Sequence, residues 1–114
     1  AYLDGCLQST IHQEYSNWEY CIVDDGSTDS SSWKLKKWRK TDERIHYISC
    51  PHQDIVPALN TAAKMASGSI IVRMDADDIM HPKRLSEQVS FLNENSEVGL
   101  IILQLQLIYY YLLK

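Results

Sequence analysis

Trp18-Glu19-Tyr20-Cys21-Ile22-Val23-Asp24-Asp25-Gly26-Ser27-Thr28-Asp29 is a mostly apolar run, rich in β-formers, that ends abruptly on two carboxylates and a glycine. Trp18 to Val23 reads as a buried strand, and Asp24-Asp25-Gly26 as the loop that closes it. Gly26 permits positive φ, and Asp29-Ser30-Ser31-Ser32 supplies start signals for a helix over 31–40.

Outward from this stretch the pattern repeats. Leu3, Cys6, Leu7 and Ile11 recur at helical spacing over 3–13. Residues 44–50 read as a second strand, stopped by Pro51. Residues 55–67 read as a helix, with Ile55, Leu59, Ala62, Ala63 and Ala66 as one narrow apolar face and Gly68 as a left-handed cap. Pro57 fits the first turn of that helix. A third strand over 69–74 ends in Asp75-Ala76-Asp77-Asp78. Pro82 opens a helix to about Asn95 with Leu85, Val89 and Leu92 inward, and 98–103 begins a fourth strand. Helices alternating with strands imply right-handed crossovers and a mainly parallel sheet.

Both acidic clusters follow apolar strands directly. In an open parallel sheet, ligands bind just beyond the carboxyl ends of the strands. If the two strands are neighbours, Asp24, Asp25, Asp29, Asp75, Asp77 and Asp78 share one crevice. Such a concentration of carboxylates is costly unless cations or hydrogen bonds offset it. Hard divalent ions suit carboxylate oxygens, and Mg2+ or Mn2+ is commonly held by one or two carboxylates together with substrate phosphates. Each cluster also has a structural reading, since Asp-Asp-Gly-Ser-Thr-Asp is good turn and cap chemistry. The pair, each ending a strand, is the stronger signal.

The ordered set resembles family 2 glycosyltransferases with the GT-A fold. It consists of Leu3…Cys6-Leu7-Gln8-Ser9 and Gln13, Ile22-Val23-Asp24-Asp25-Gly26-Ser27-Thr28-Asp29, and Ala58-Leu59-Asn60. Ala66-Ser67-Gly68, Ile71-Val72-Arg73-Met74-Asp75-Ala76-Asp77-Asp78, Pro82-Lys83-Arg84-Leu85 and Gln88 complete it. The likeness runs from Tyr2 to Leu100. It implies a Rossmann-like three-layer α/β/α domain with an incomplete, mainly parallel sheet: a partial nucleotide-sugar-binding domain over 1–102 and an apolar tail over 103–114. It implies a nucleotide-sugar donor, UDP-linked, bound by Asp24, Asp25, Asp75 and Asp77. Asp25 matches the acid that hydrogen-bonds the base, with Asp24 and Asp29 supporting its loop. Asp75 matches the first acid of the Asp-x-Asp motif, near the ribose, and Asp77 the second, which binds the Mn2+ or Mg2+ that bridges the diphosphate. The metal assignment is therefore Asp77 with Asp75. Asp78 and Arg73 match no fixed role.

The resemblance further implies inverting transfer to a saccharide or lipid-linked acceptor hydroxyl, in polysaccharide biosynthesis, by the full-length protein. The family's opening strand precedes the position matched by Tyr2. Its catalytic base lies well downstream of Asp-x-Asp, and no residue of this chain matches it. The chain is expected to be truncated at both ends. Two alternatives stay open: a non-catalytic nucleotide-binding fragment, and a phosphotransferase using Asp75-x-Asp77 as an aspartyl nucleophile with a second acid.

Composition bounds the remaining choices. The 114 residues carry 11 basic and 15 acidic side chains, a net charge of −4, and are 45% hydrophobic, which fits one small folded domain. A pI near 5.4 argues against a nucleic-acid partner. Cys6, Cys21 and Cys50 contain no C-x-x-C pair and read as free thiols of a reducing compartment. With no secretory signal at the start, a cytoplasmic location, soluble or membrane-peripheral, is expected. His12, His46, His52 and His81 lack metal-ligand spacing, although His81 lies near the second acidic loop. Ser27 and Thr28 lack a triad histidine. The run Lys34-Leu35-Lys36-Lys37-Trp38-Arg39-Lys40 is locally basic. Its ordinary reading is a solvated helix face with lysine stems over apolar surface; contact with phosphates or a membrane is the alternative. The apolar stretch 98–113 is too short to span a bilayer as a helix. Its Tyr109-Tyr110-Tyr111 reads as packing or an interface, including one with a second copy of the chain.

Overall fold

The computed structural model describes residues 2–105 and 108–113, with side chains described as far as Gly99. Nine elements follow one another: α1 (Tyr2–Ile11), β1 (Tyr20–Asp25), α2 (Ser31–Thr41), β2 (Ile45–Cys50), α3 (Ile55–Met65), β3 (Ile71–Val72), α4 (Arg84–Glu94), β4 (Leu100–Leu105) and β5 (Ile108–Leu113). They fall into two compact units, one of residues 17–68 and the other of residues 1–16 with 69–114.

In the unit 17–68, β1 and β2 pair in parallel from Tyr20↔Ile45 to Asp25↔Cys50. Parallel pairing requires a crossover, and α2 supplies it. Helix α2 packs on β2 and α3 on β1. Leu35, Ile45 and Tyr47 are buried here. The Trp18 ring lies under the Arg44 guanidinium, 3.6 Å from its centroid, where Arg44 also pairs with Asp42 at 2.7 Å.

Helix α3 departs from expectation twice. None of its residues is buried, and Ile55 and Leu59 are exposed, because a two-stranded sheet with strands about 5 Å apart covers only part of a helix. It also ends at Met65 instead of running to Ser67, and Gly26 is the only glycine with positive φ among the described residues. The Glu19 carboxylate explains the early end. It accepts from the backbone N–H and the hydroxyl of Ser67 and, at 3.1 Å, from the N–H of Gly68. These groups satisfy the turn without a left-handed cap. The same N–H donors hold the Glu19 carboxyl below its usual range, the Ser67 backbone first.

In the other unit Cys6, Leu7, Met80, Leu85 and Leu92 are buried. Its sheet has the order β3-β5-β4, antiparallel throughout, with Ile71↔Leu113 and Leu100↔Leu113 as pairs. Strand β3 has two residues where six were expected. The apolar tail thus continues as a strand whose backbone joins β3 and β4. The expectation that tail side chains such as Tyr109-Tyr110-Tyr111 pack or meet a second copy lies outside the described side chains. No described helix is long and apolar enough to cross a membrane. The architecture is mixed α/β with a parallel pair and an incomplete sheet.

Candidate functional site

The first acidic loop is built within the unit 17–68. Asp24, at the end of β1, is 4% exposed. Its Oδ1 accepts the Ser27 N–H at 2.8 Å, and its Oδ2 accepts the Tyr47 hydroxyl at 3.3 Å. The Tyr47 oxygen lies 2.8 Å from Ser32 Oγ, so β1, β2 and α2 share one small polar network. A buried carboxylate with these partners fixes the loop's path. Asp29 Oδ1 accepts the Ser31 N–H at 2.9 Å and starts α2. The Ser31 side chain and then its N–H hold the Asp29 carboxyl below its ordinary value.

Asp25 projects from the other side of the strand end toward residues 52–54. Its Oδ1 accepts the Gln53 N–H at 2.7 Å, its Oδ2 accepts the Asp54 N–H at 3.1 Å, and His52 Nδ1 lies 3.0 Å from Oδ2. The Gln53 N–H first, then the Asp54 N–H and the His52 ring, hold the Asp25 carboxyl below its usual range against partial desolvation. It is a carboxylate at neutral pH. Gly26, at φ 79°, runs so close to this segment that a Cβ there would sit 3.0 Å from the His52 backbone nitrogen. A side chain at Gly26 is therefore disfavoured by both conformation and space.

Residues 52–54 were not singled out as a group by sequence reasoning, yet they form the wall facing Asp25. Asp54 has φ 97° and ψ 166°, a region that essentially only glycine adopts at ease. Its N–H on Asp25 and its own carboxylate on the Ile55 N–H, at 2.7 Å, hold it there at the start of α3. Asp54→Gly is expected to relieve this strain while costing little as a cap. A gain in unfolding free energy on the order of 1 kcal/mol, read by urea denaturation, is the expected result. A loss would show that the side-chain cap matters more than the strain.

The second acidic loop is built within the other unit. It is hung from α1. Cys6 Sγ–H donates to the Asp75 carbonyl at 3.6 Å, and Ser9 Oγ accepts the Met80 N–H at 2.9 Å. Gln13 grips both ends of the following turn: its Nε2 donates to the His81 carbonyl at 2.7 Å, and its Oε1 accepts the Leu85 N–H at 3.1 Å. The Glu14 N–H donates to the Pro82 carbonyl at 3.0 Å. The Asp78 N–H closes a turn on the Asp75 carbonyl at 3.1 Å. Buried Arg84 donates to the Arg73 carbonyl at 3.3 Å.

With the backbone pinned, Asp75 and Asp77 lie exposed. Arg73 donates to Asp75 Oδ1 at 3.3 Å. Among the described residues no hydrogen bond or ion pair engages the Asp77 carboxylate, and no group of three or more metal-ligating side chains occurs. Two exposed hard-oxygen donors, one of them uncommitted, fit a Mg2+ or Mn2+ ion that takes its other ligands from water and phosphate. They do not make a closed, all-protein metal cage. His46 and His52 are exposed, and none of the four histidines joins a metal-ligand group among the described residues.

The Glycosyl transferase family 2 signature matches residues 1–105. An uncharacterized glycosyltransferase of Haemophilus influenzae is 36% identical over 98 residues, covering 85% of this chain and 30% of that protein. UDP-Glc:alpha-D-GlcNAc-diphosphoundecaprenol beta-1,3-glucosyltransferase WfgD of Escherichia coli is 33% identical over 95 residues, covering 82% of this chain and 37% of WfgD. Among solved structures, the mannosyltransferase PcManGT from Pyrobaculum calidifontis, in complex with GDP-Man and Mn2+, superimposes with a TM-score of 0.73 at 27% identity, covering 80% of this chain and 28% of PcManGT. The chain thus spans roughly a third of the length of these relatives. Its fold is GT-A, its kin are transferases, and it belongs to glycosyl transferase family 2.

Proposed function

We propose that the chain is the nucleotide-sugar-binding part of an inverting glycosyltransferase that uses a UDP-linked donor with Mn2+ or Mg2+, and that the full-length protein passes the sugar to a saccharide or lipid-linked hydroxyl. The observation that carries this reading is the state of Asp25. A carboxylate offers about four acceptor positions. Gln53, Asp54 and His52 engage three of them, which leaves one for a base N–H such as that of uracil. An ionised acceptor held by two backbone N–H groups keeps its position when the ligand arrives, so little ordering is needed on binding.

Asp24, beside Asp25, fixes the loop that meets the nucleotide through its bonds to Ser27 and Tyr47. Asp75 and Asp77 would hold the divalent ion, which supplies Lewis-acid stabilisation of charge on the departing nucleoside diphosphate. Arg73, beside Asp75, is a second cation suited to a phosphate oxygen. The donor named for WfgD is UDP-glucose, and PcManGT carries GDP-mannose with Mn2+; a base N–H is common to both nucleotides. The family match makes the aspartyl phosphotransferase reading the weaker one.

Ligand-observed NMR of the 114-residue chain with Mg2+ and matched UDP- and GDP-sugars tests the donor. UDP-sugars are expected to show transfer of saturation to the uracil and ribose protons. Contact confined to GDP-sugars, or none to either, contradicts the proposal.

A further inference from the structure

Helix α2 has a buried side and a strongly cationic outer side. Leu35 is 4% exposed, whereas Trp33 is 65% exposed. Lys36, Lys37, Arg39 and Lys40 are exposed as well. Trp33, Lys36, Lys37 and Lys40 follow the i, i+3, i+4, i+7 spacing of one helix face. The Lys37 ammonium lies 5.6 Å from the Trp33 ring centroid, which brings the indole and the cation together on the surface. The helix carries five basic residues and no acidic one, within a chain whose net charge is −4.

A merely solvated lysine face explains part of this. Arg39 and Lys40 in the last turn complement the helix dipole. It does not explain an indole two-thirds exposed at the N-terminal end of the cationic face, beside Lys37. Trp and Lys together suit the headgroup region of a bilayer, where the ring enters the boundary and the ammonium groups meet lipid phosphates. Charge complementarity thus selects the occupant.

We infer that the outer face of α2, formed by Trp33, Lys36, Lys37 and Lys40, is a docking surface for a bilayer containing anionic phospholipid. The inference does not depend on the donor reading, because it needs neither nucleotide nor metal. Each lysine near an anionic surface strengthens binding about fivefold, so the three contribute on the order of a hundredfold. Binding weakens as added salt shortens the Debye length.

The test is co-sedimentation of the 114-residue chain with vesicles of phosphatidylcholine alone or mixed with phosphatidylserine. Sedimentation is expected only with the mixed vesicles, reduced by salt, and reduced on the order of a hundredfold in affinity by Lys36→Gln with Lys37→Gln and Lys40→Gln. Brominated lipid is expected to quench wild-type fluorescence more than that of Trp33→Phe, a mild substitution that keeps the readout should the triple variant misfold. Equal sedimentation with both vesicle types, or quenching unchanged in Trp33→Phe, overturns the inference. So does preferential binding of a single-stranded oligonucleotide over the mixed vesicles, which would give the face to nucleic acid.

Discussion

Asp77→Ala is expected to remove the metal-dependent part of nucleoside-diphosphate affinity, a loss on the order of tenfold to a hundredfold, while leaving stability almost unchanged. The two halves of this expectation have different origins. Asp77 is exposed, and nothing among the described residues engages its carboxylate, so its removal changes no internal contact. Surface substitutions of that kind fall within about 0.5 kcal/mol. The affinity depends on electrostatics instead. Two unit charges about 4 Å apart interact by about 4 kcal/mol at a near-surface dielectric, and exposure reduces that further. Without Asp77 the ion loses one of its one or two protein carboxylates, and the diphosphate then faces Asp75 and Asp78 with less compensation. Thermal unfolding beside a nucleotide titration checks both halves. A variant that unfolds much earlier would mean that Asp77 is structural.

Gln13→Ala is expected to produce the largest loss of stability among the polar substitutions near the second acidic loop. Gln13 is 7% exposed and makes hydrogen bonds to the Ser9 carbonyl at 3.1 Å, the His81 carbonyl at 2.7 Å and the Leu85 N–H at 3.1 Å. Truncation leaves the buried Leu85 N–H without its partner, while the His81 carbonyl keeps the Arg84 N–H at 3.0 Å and loses one of its two bonds. An orphaned buried N–H costs about 1–3 kcal/mol, so a loss of that size is expected, read by urea denaturation. Gln13→Glu separates the two bonds. It keeps an acceptor for the Leu85 N–H but sets a carboxylate against the His81 carbonyl, so it should recover only part of the loss. A loss below about 0.5 kcal/mol in Gln13→Ala, the level of an ordinary surface change, would mean that Gln13, just beyond the end of α1, does not anchor the turn.

The local rules were readable where the chain's neighbours in sequence decide the outcome. The apolar run from Trp18 to Val23 marked a strand, which forms two residues further on, over Tyr20–Asp25, so that Asp24 and Asp25 end β1 instead of lying in the loop; Asp29 starts α2 through a bond two residues away. The two acidic loops were visible for the same reason. What was not readable is set by partners distant in sequence. Helix α3 ends early because Glu19, 48 residues from Ser67, captures its final turn. Asp54 takes a glycine-like conformation beside the Asp25 carboxylate, 29 residues away. Gln13 meets Leu85 across 72 residues. The antiparallel sheet escaped because strand direction follows from pairing, and neither apolar alternation nor turn residues encode which neighbour Ile108–Leu113 will take. The exposure of Trp33 likewise cannot be known from a helical pattern that lists Trp33 and Trp38 with equal weight.

Calorimetric titration of UDP into the 114-residue chain, in Mn2+ and again in EDTA, tests the central claim most directly. Measurable binding is expected in Mn2+, weakening at least tenfold when the ion is chelated, a difference of about 1.4 kcal/mol or more. Binding of equal strength in both buffers, or none in either, would contradict it.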